Sequence, residues 1–375
     1  MAGKINFTLE EFQEAAHKFR SELLRLPIIT LRDHSLKFFT ERPGIRYKES
    51  VGTIDADVEL APYKASRRHD LNPDLIHRTL ETFLGAAVED FEPNATISTL
   101  LGITGDTKGE GQFRQPSAIA ALSLIAQKIG EKLNQNLFKA ARSENGDTTE
   151  ELFNGFDTIT QTEITANNIS TAKGNLIELS EPITKTNAYD LLTEEVLYKL
   201  TDEMRAQELY IYCAQSIKDK YDQAYFATHG HVPFYQQYTQ NVLEGSEGKI
   251  KFVPLVGKAG SEFMHISNKS NMLVGYDQMG DMESVSIEKY APFILTFVMT
   301  MFFGTQFESI SPKRLQVVKL AASNAGGENA GGENTEGANT GGGENAGGEN
   351  TEGANTGGGE NAGGGENAGG GNTEG

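Results

Sequence analysis

Residues 116–160 read PSAIAALSLIAQKIGEKLNQNLFKAARSENGDTTEELFNGFDTIT, and the fold turns on this stretch. From Ser117 to Arg142 the apolar residues Ile119, Leu122, Ala126, Ile129, Leu133 and Leu137 recur every three or four positions, the spacing of a helix with one buried stripe. Pro116 stands just outside the start and Asn145-Gly146 just past the end. A helix over 117–142 is about 39 Å long, well beyond the usual three turns. It runs straight into SENGDTTEELFNGFDTIT, two glycine-marked turns around Leu152 and Phe153. A long helix with a docked loop is a beam, which points to a structural protein, and nothing in it reads as a catalytic turn.

Beyond this segment the composition divides the chain at Leu320. Residues 322–375 contain only Ala, Ser, Asn, Gly, Glu and Thr, and GGENTEGANTGGGENA at 331–346 recurs unchanged at 347–362. No side chain there can bury enough apolar surface to offset the entropy of ordering, so 321–375 is expected to be a disordered acidic tail with a reach of roughly 40 Å. Nine of the chain's net negative charges, 19 in all, belong to the glutamates of this tail. Such a tail forms a solvated acidic brush that repels other polyanions. The acidic body excludes a sequence-reading nucleic-acid binder, which needs a basic face. A single cysteine, Cys213, forms no intrachain disulfide and suits folding in a reducing cytoplasm. MAGKINFTLEEFQ lacks an apolar signal region, and the run 293–303 is too short to span a bilayer. That run reads as a buried strand entered at Pro292 and left at Gly304.

Toward the N-terminus, Thr8 and Glu11 form a capping box ahead of Leu9, Phe12, Ala16, Phe19, Leu23 and Leu26, a helix that Pro27 should stop. The stripe fits either packing on its own domain or docking on a neighbouring subunit or scaffolding protein. From Val51 the chain alternates, with Gly52, Ile54, Ala56, Val58 and Leu60 on one side and Thr53, Asp55, Asp57 and Glu59 on the other: a strand with one acidic face. Its flanks are basic, with Lys37, Arg42, Arg46 and Lys48 before it and Lys64, Arg67 and Arg68 after. RTLETFLGAAVEDF at 78–91 fits a helix or a long strand, and PNATISTLLG at 93–102 a short helix. After residue 160 come helices capped at Asn187 and opening at Ser216. Strands are expected at 209–214, 249–254, 262–267, 272–276, 284–289, 293–303 and 314–320. The whole is α+β.

Chemistry is harder to find. Asp55-x-Asp57-x-Glu59 opens like a calcium loop, but Leu60 and Ser66 stand where Gly and a bidentate Glu are needed. Gly257-Lys258 lacks the remaining glycine of a phosphate loop. His229, His231 and His265 are the only route to a metal-dependent enzyme, and their spacing is a weak zinc signal. Cys213 lies in an apolar strand and reads as an inert thiol. The pairs Glu150-Glu151 and Glu194-Glu195 read as solvated helix ends. No catalytic, cofactor-binding or metal-ligating residue is assigned, and no cofactor is expected.

LIAQKIGEKLNQNLFKAARSENGDTTEELFNGFDTI (124–159), KFVPLVGKAGSEFMHISNKSNMLVGYDQMGD (251–281) and FVMTMFFGTQFESISPKRLQVVKL (297–320) together resemble the major capsid proteins of tailed bacteriophages with the Hong Kong 97-type fold. The likeness covers residues 40–320 and rests on the order and spacing of these segments. It implies a spine helix over 117–142 and an extended E-loop hairpin over 37–70, after an N-terminal arm at 1–36. It further implies a peripheral domain from 71–160 and 281–320, and an axial domain from 161–280. It implies no enzyme activity but self-assembly into hexamers and pentamers, an icosahedral shell around double-stranded DNA, built in the bacterial host cytoplasm without a membrane. Its expected partners are copies of itself, a portal, and scaffolding supplied as a separate protein. An encapsulin-like nanocompartment shares the fold and is the nearest alternative.

Overall fold

The computed structural model describes residues 9–55, 62–64, 74–92, 114–230, 241–277, 285–291 and 294–321. The capping box at Thr8, the acidic positions 57 and 59, Arg67, Arg68, the expected helix at 93–102, His231 and the repeat tail from 322 lie outside the described residues.

Among the described residues the protein is α+β, with two five-stranded sheets and a separate two-stranded hairpin. The first sheet joins β1 (Thr40–Pro43), β9 (Met272–Asp277), β11 (Ile294–Phe307) and β10 (Val285–Ala291), and β4 (Phe83–Phe91) pairs with β11. The second runs β5 (Leu176–Glu178), β12 (Leu315–Lys319), β8 (Phe263–Ser267), β6 (Leu209–Cys213) and β7 (Ile250–Pro254). The hairpin pairs β2 (Lys48–Asp55) with β3 (Asp74–Glu81). RTLETFLGAAVEDF is therefore strand on both sides of Thr82, as its alternating exposure across 83–88 requires.

Sheet membership crosses the segment boundaries expected from the sequence. Residues 272–277 pair with β11 in the first sheet, whereas 315–319 pair with β5 and β8 in the second. Backbone pairing, which no local pattern encodes, makes that assignment.

The long helix, α3, covers Arg114–Asn136 and ends six residues earlier than its apolar stripe suggests. Leu137, Phe138 and Ala140 are all buried, so the stripe persists where the helix does not. The docked loop takes over the backbone groups. Gly155 N–H donates to the carbonyl of Ala140, Phe156 to Leu137 and Asp157 to Phe138, while Ala141 N–H donates to Glu150. Glu151 is not a solvated end. Its carboxylate accepts from the N–H groups of Asp147 and Thr148 and from the Thr148 hydroxyl, closing a capping box. Arg142 donates to the carbonyl of Leu152 and lies 4.0 Å from the Phe83 ring centroid.

Helices α1 (Leu9–Lys18) and α2 (Arg20–His34) pack on α3 and the first sheet, so the N-terminal stripe covers its own domain. Ala16, Leu23 and Leu24 are buried with Leu122, Ala126, Ile287 and Phe297. Pro27 does not stop the helix; the break falls at Phe19, and α2 continues to His34. Pro27 forfeits one hydrogen bond, a cost of about 3 kcal/mol in a helix interior. Burial of Leu23, Leu24, Ile28 and Leu31 offsets it. The contact is close: a Cβ on Gly130 of α3 would lie 2.5 Å from the Pro27 carbonyl oxygen.

The core around the loop is aromatic. Phe39, Phe138, Phe153, Phe156, Tyr212, Phe303 and Phe307 are buried together, and Phe39 stacks on both Phe156 and Tyr212. The second sheet carries its own core. There Ala188, Leu192, Val196 and Leu200, the expected helical stripe, lie against Ile211, Ile266 and helix α5 (Gln215–His229; α4 is Phe156–Thr165). Glu195 is likewise not merely solvated, since it accepts from the Ser180 hydroxyl.

Candidate assembly surfaces

The hairpin belongs to neither larger sheet, and its root rests on two glycines. Gly275 of β9 and Gly304 of β11 are directly paired. A Cβ on Gly304 would lie 2.0 Å from the carbonyl oxygen of Glu81, and one on Gly275 would meet Leu80 and Thr82 at 3.0 Å. The bare patch lets the end of β3 lie across the sheet. β11 thus continues through Gly304 to Phe307 rather than ending there, because this glycine marks a close backbone crossing and not a turn. Gly304→Ala is expected to push the root off the sheet and to cost about 2–4 kcal/mol, read as a fall in thermal midpoint.

Other contacts fix the root in orientation. Leu80 is fully buried with Ile45, Val51 and Leu273. Thr82 donates its N–H to the Tyr47 carbonyl and its hydroxyl to the Ile45 carbonyl. Tyr47, at φ +78°, turns its ring edge-on to Phe302. Arg78 donates to Glu163 of α4 (2.7 Å) and to Gln306 of β11 (3.0 Å), and Gln306 donates back to the Thr79 carbonyl. The return strand therefore reaches Glu81, eleven residues past the boundary expected at 70.

Two of the basic flanking residues are committed within the chain: Arg46 pairs with Asp277 and Lys48 with Glu81. Lys37 lies over the Phe38 ring at 5.2 Å, and Lys64 is exposed. The apolar surface sits elsewhere. On β4, Leu84 and Val88 are 51% and 61% exposed, with Ala86 open between them. Tyr290 on β10 and Tyr63 beyond the hairpin strand are also exposed.

Of the three candidate histidines, the two among the described residues have separate surroundings. His229 stacks on Tyr225 at the end of α5, with Tyr189 edge-on to it. His265 is fully buried on β8. No cluster of metal-ligating side chains occurs among the described residues, and none of the described helices is long and apolar enough to cross a membrane. Cys213 is buried, which pushes its thiol pKa up to about 12.

Sequence reasoning did not anticipate a polar centre buried between the two sheets. Lys258 is wholly buried. Its three ammonium protons face four acceptors, Asp157 Oδ1 (2.5 Å), the Phe263 carbonyl (2.8 Å), His265 Nδ1 (2.9 Å) and, at the longest distance, Ser261 Oγ (3.1 Å). An ammonium has no acceptor, so Nδ1 must accept and the proton resides on Nε2, which donates to Thr160 Oγ1 at 2.8 Å. Burial, and then the neighbouring Lys258 charge, hold the His265 pKa well below its usual range. The unfolded chain binds this proton below about pH 6.5 while the folded one does not. Stability is therefore complete above that pH and should fall by up to about 1.4 kcal/mol per pH unit as acid is added. Melting temperatures of wild type and His265→Gln from pH 7 to pH 5 check this: the wild type should lose more.

No protein-family model matches the sequence, and neither does any curated protein. Among solved structures the fold is similar to a chain of the satellite phage P4 procapsid, at 12% identity and a TM-score of 0.48, covering 78% of this chain and 97% of that one. It is similar to the capsid of the empty GTA particle at 13% and 0.49, covering 77% and 90%. The cyanophage A-1(L) capsid asymmetric unit matches at 14% and 0.48, covering 79% and 92%.

Proposed function

We propose that this chain is the major capsid protein of a tailed bacteriophage or prophage, a non-enzymatic subunit of an icosahedral shell. The observation that carries the reading is the hairpin of residues 48–81. It forms a two-stranded sheet joined to neither larger sheet, yet it stands on a root fixed by paired glycines and ion pairs. A two-stranded hairpin is marginal in water, and in this reading a surface supplied by a second copy completes its order. The resemblance carried by residues 124–159, 251–281 and 297–320 assigns it the same role.

In this reading hexamers and pentamers assemble in the host cytoplasm and enclose double-stranded DNA, with a portal at one vertex and scaffolding from a separate protein. Heterologous contacts close into rings, and small changes of angle join the rings into a shell. The first sheet with α3 forms the peripheral domain and the second sheet with α5 the axial one, and the E-loop is extended to residue 81. Sedimentation of the purified protein tests this: large assemblies are expected, and a single species near the 40.8 kDa chain mass at every salt and protein concentration would refute it.

The acidic tail is dispensable in the same reading. Among the described residues, Leu320 is the last whose backbone is hydrogen-bonded to the body, its N–H donating to the Glu262 carbonyl. Ending the chain there should leave the melting temperature and assembly unchanged. Brief cleavage of intact particles at glutamate should release the tails if they form an outward brush, whereas tails protected until the shell breaks would place them inside.

A further inference from the structure

We propose that Lys258 and Asp157 condense spontaneously into an intrachain amide, a covalent tie between α4 and the segment that leads into β8. The pair is 101 residues apart in sequence and in direct contact, Nζ to Oδ1 at 2.5 Å. An ordinary surface ion pair cannot react in this way, because water keeps both partners charged. Here Lys258 is 0% exposed and its Nζ lies 4.5 Å from the Phe138 ring centroid, while Asp157 is 14% exposed. In so dry a site the neutral amine and neutral acid compete with the charged pair, since each separated charge is costly to bury.

The surrounding groups supply the remaining steps. The ammonium first passes one proton to the Asp157 carboxylate, giving an amine and an acid. The nitrogen lone pair then attacks Cγ and forms the N–C bond. Ser261 Oγ donates to Asp157 Oδ2 at 2.7 Å and stabilises the negative charge that develops on that oxygen. His265 Nδ1, held as an acceptor by the Nε2 contact to Thr160, takes the proton released by nitrogen and returns it to the departing hydroxyl. The C–O bond breaks, one water leaves, and atoms and charge balance with no oxidant, metal or co-reactant. The structure also contains a comparison site. Lys218 is 3% exposed and contacts Asp222 at 2.5 Å, but that carboxylate is 33% exposed and lies one turn away on the same helix. Lys218 should therefore remain a free amine.

The intact mass of the full-length protein, measured after denaturation, decides the matter on the wild type itself. The expected mass is that of the sequence less one water, with a branched proteolytic fragment joining the peptides that contain residues 157 and 258. Asp157→Ala should restore the full sequence mass, allowing for the substitution, and Lys218 should appear in a linear peptide. His265→Gln should slow the loss of water while leaving both reacting groups in place. A wild-type mass equal to the sequence mass, with Lys258 recovered in a linear peptide, would overturn the proposal whether or not any variant folds.

Discussion

Leu133→Asp is expected to leave no folded subunit, whereas Lys132→Ala, one position away, should be nearly silent. Leu133 is 1% exposed in the last turn of α3, facing the aromatic core that joins the docked loop to both sheets. An aspartate there either ionises without a partner or stays protonated in a cavity shaped for leucine. Either outcome costs more than about 4 kcal/mol, a large share of a domain's stability. Lys132 is exposed on the opposite side, and its loss should fall within about 0.5 kcal/mol. Thermal melts of the two variants read the difference directly. Equal shifts would mean that the helix presents a different face to the core.

The second large effect concerns assembly rather than folding. Gly52 and His77 are directly opposed in the hairpin, so an Asn-Gly turn can join them in place of residues 53–76. The shortened chain keeps Val51, Leu80, Thr82 and the two glycines on which the root rests. Its subunits should fold and melt within a few degrees of wild type, yet fail to form shells, because on the proposed reading the hairpin makes the contact between subunits. Complete, equally heat-resistant particles from this variant would remove the hairpin from the assembly contact.

Elements whose pattern is local are legible in the sequence. The apolar stripe from Leu122 to Leu137 is the buried face of α3 and its continuation, and the strands at 209–213, 250–254, 263–267 and 272–277 fall within a residue or two of their apolar runs. The departures all have non-local causes. The end of α3 is set by loop carbonyls and N–H groups arriving from residues 150–157. Pro27 stays inside a helix because the packed face outweighs one lost hydrogen bond. Gly304 reads as a strand terminus, but its partner Gly275 lies far away in sequence and only pairing reveals the crossing. The isolated glycine inside each apolar run, MLVGYD and MFFGTQF, is the signal that points to it.

The hairpin was partly legible. The alternating strand after Val51 marks the outgoing strand, but RTLETFLGAAVEDF at 78–91, which holds the end of the return strand, fits a helix as well as a strand until its partners are known. Lys258, Asp157 and His265 could not be grouped from sequence, since they lie on three separate elements and each is unremarkable in its own segment. Of the basic residues flanking the alternating strand, Arg46 and Lys48 are paired within the chain, with Asp277 and Glu81.

The most direct test of a shell-forming role is negative-stain electron microscopy of the purified full-length protein at near-physiological salt. Closed particles, or rings whose averages show five- and sixfold symmetry, are the predicted result. A field of monodisperse particles no larger than one subunit, unchanged on concentration, would contradict it.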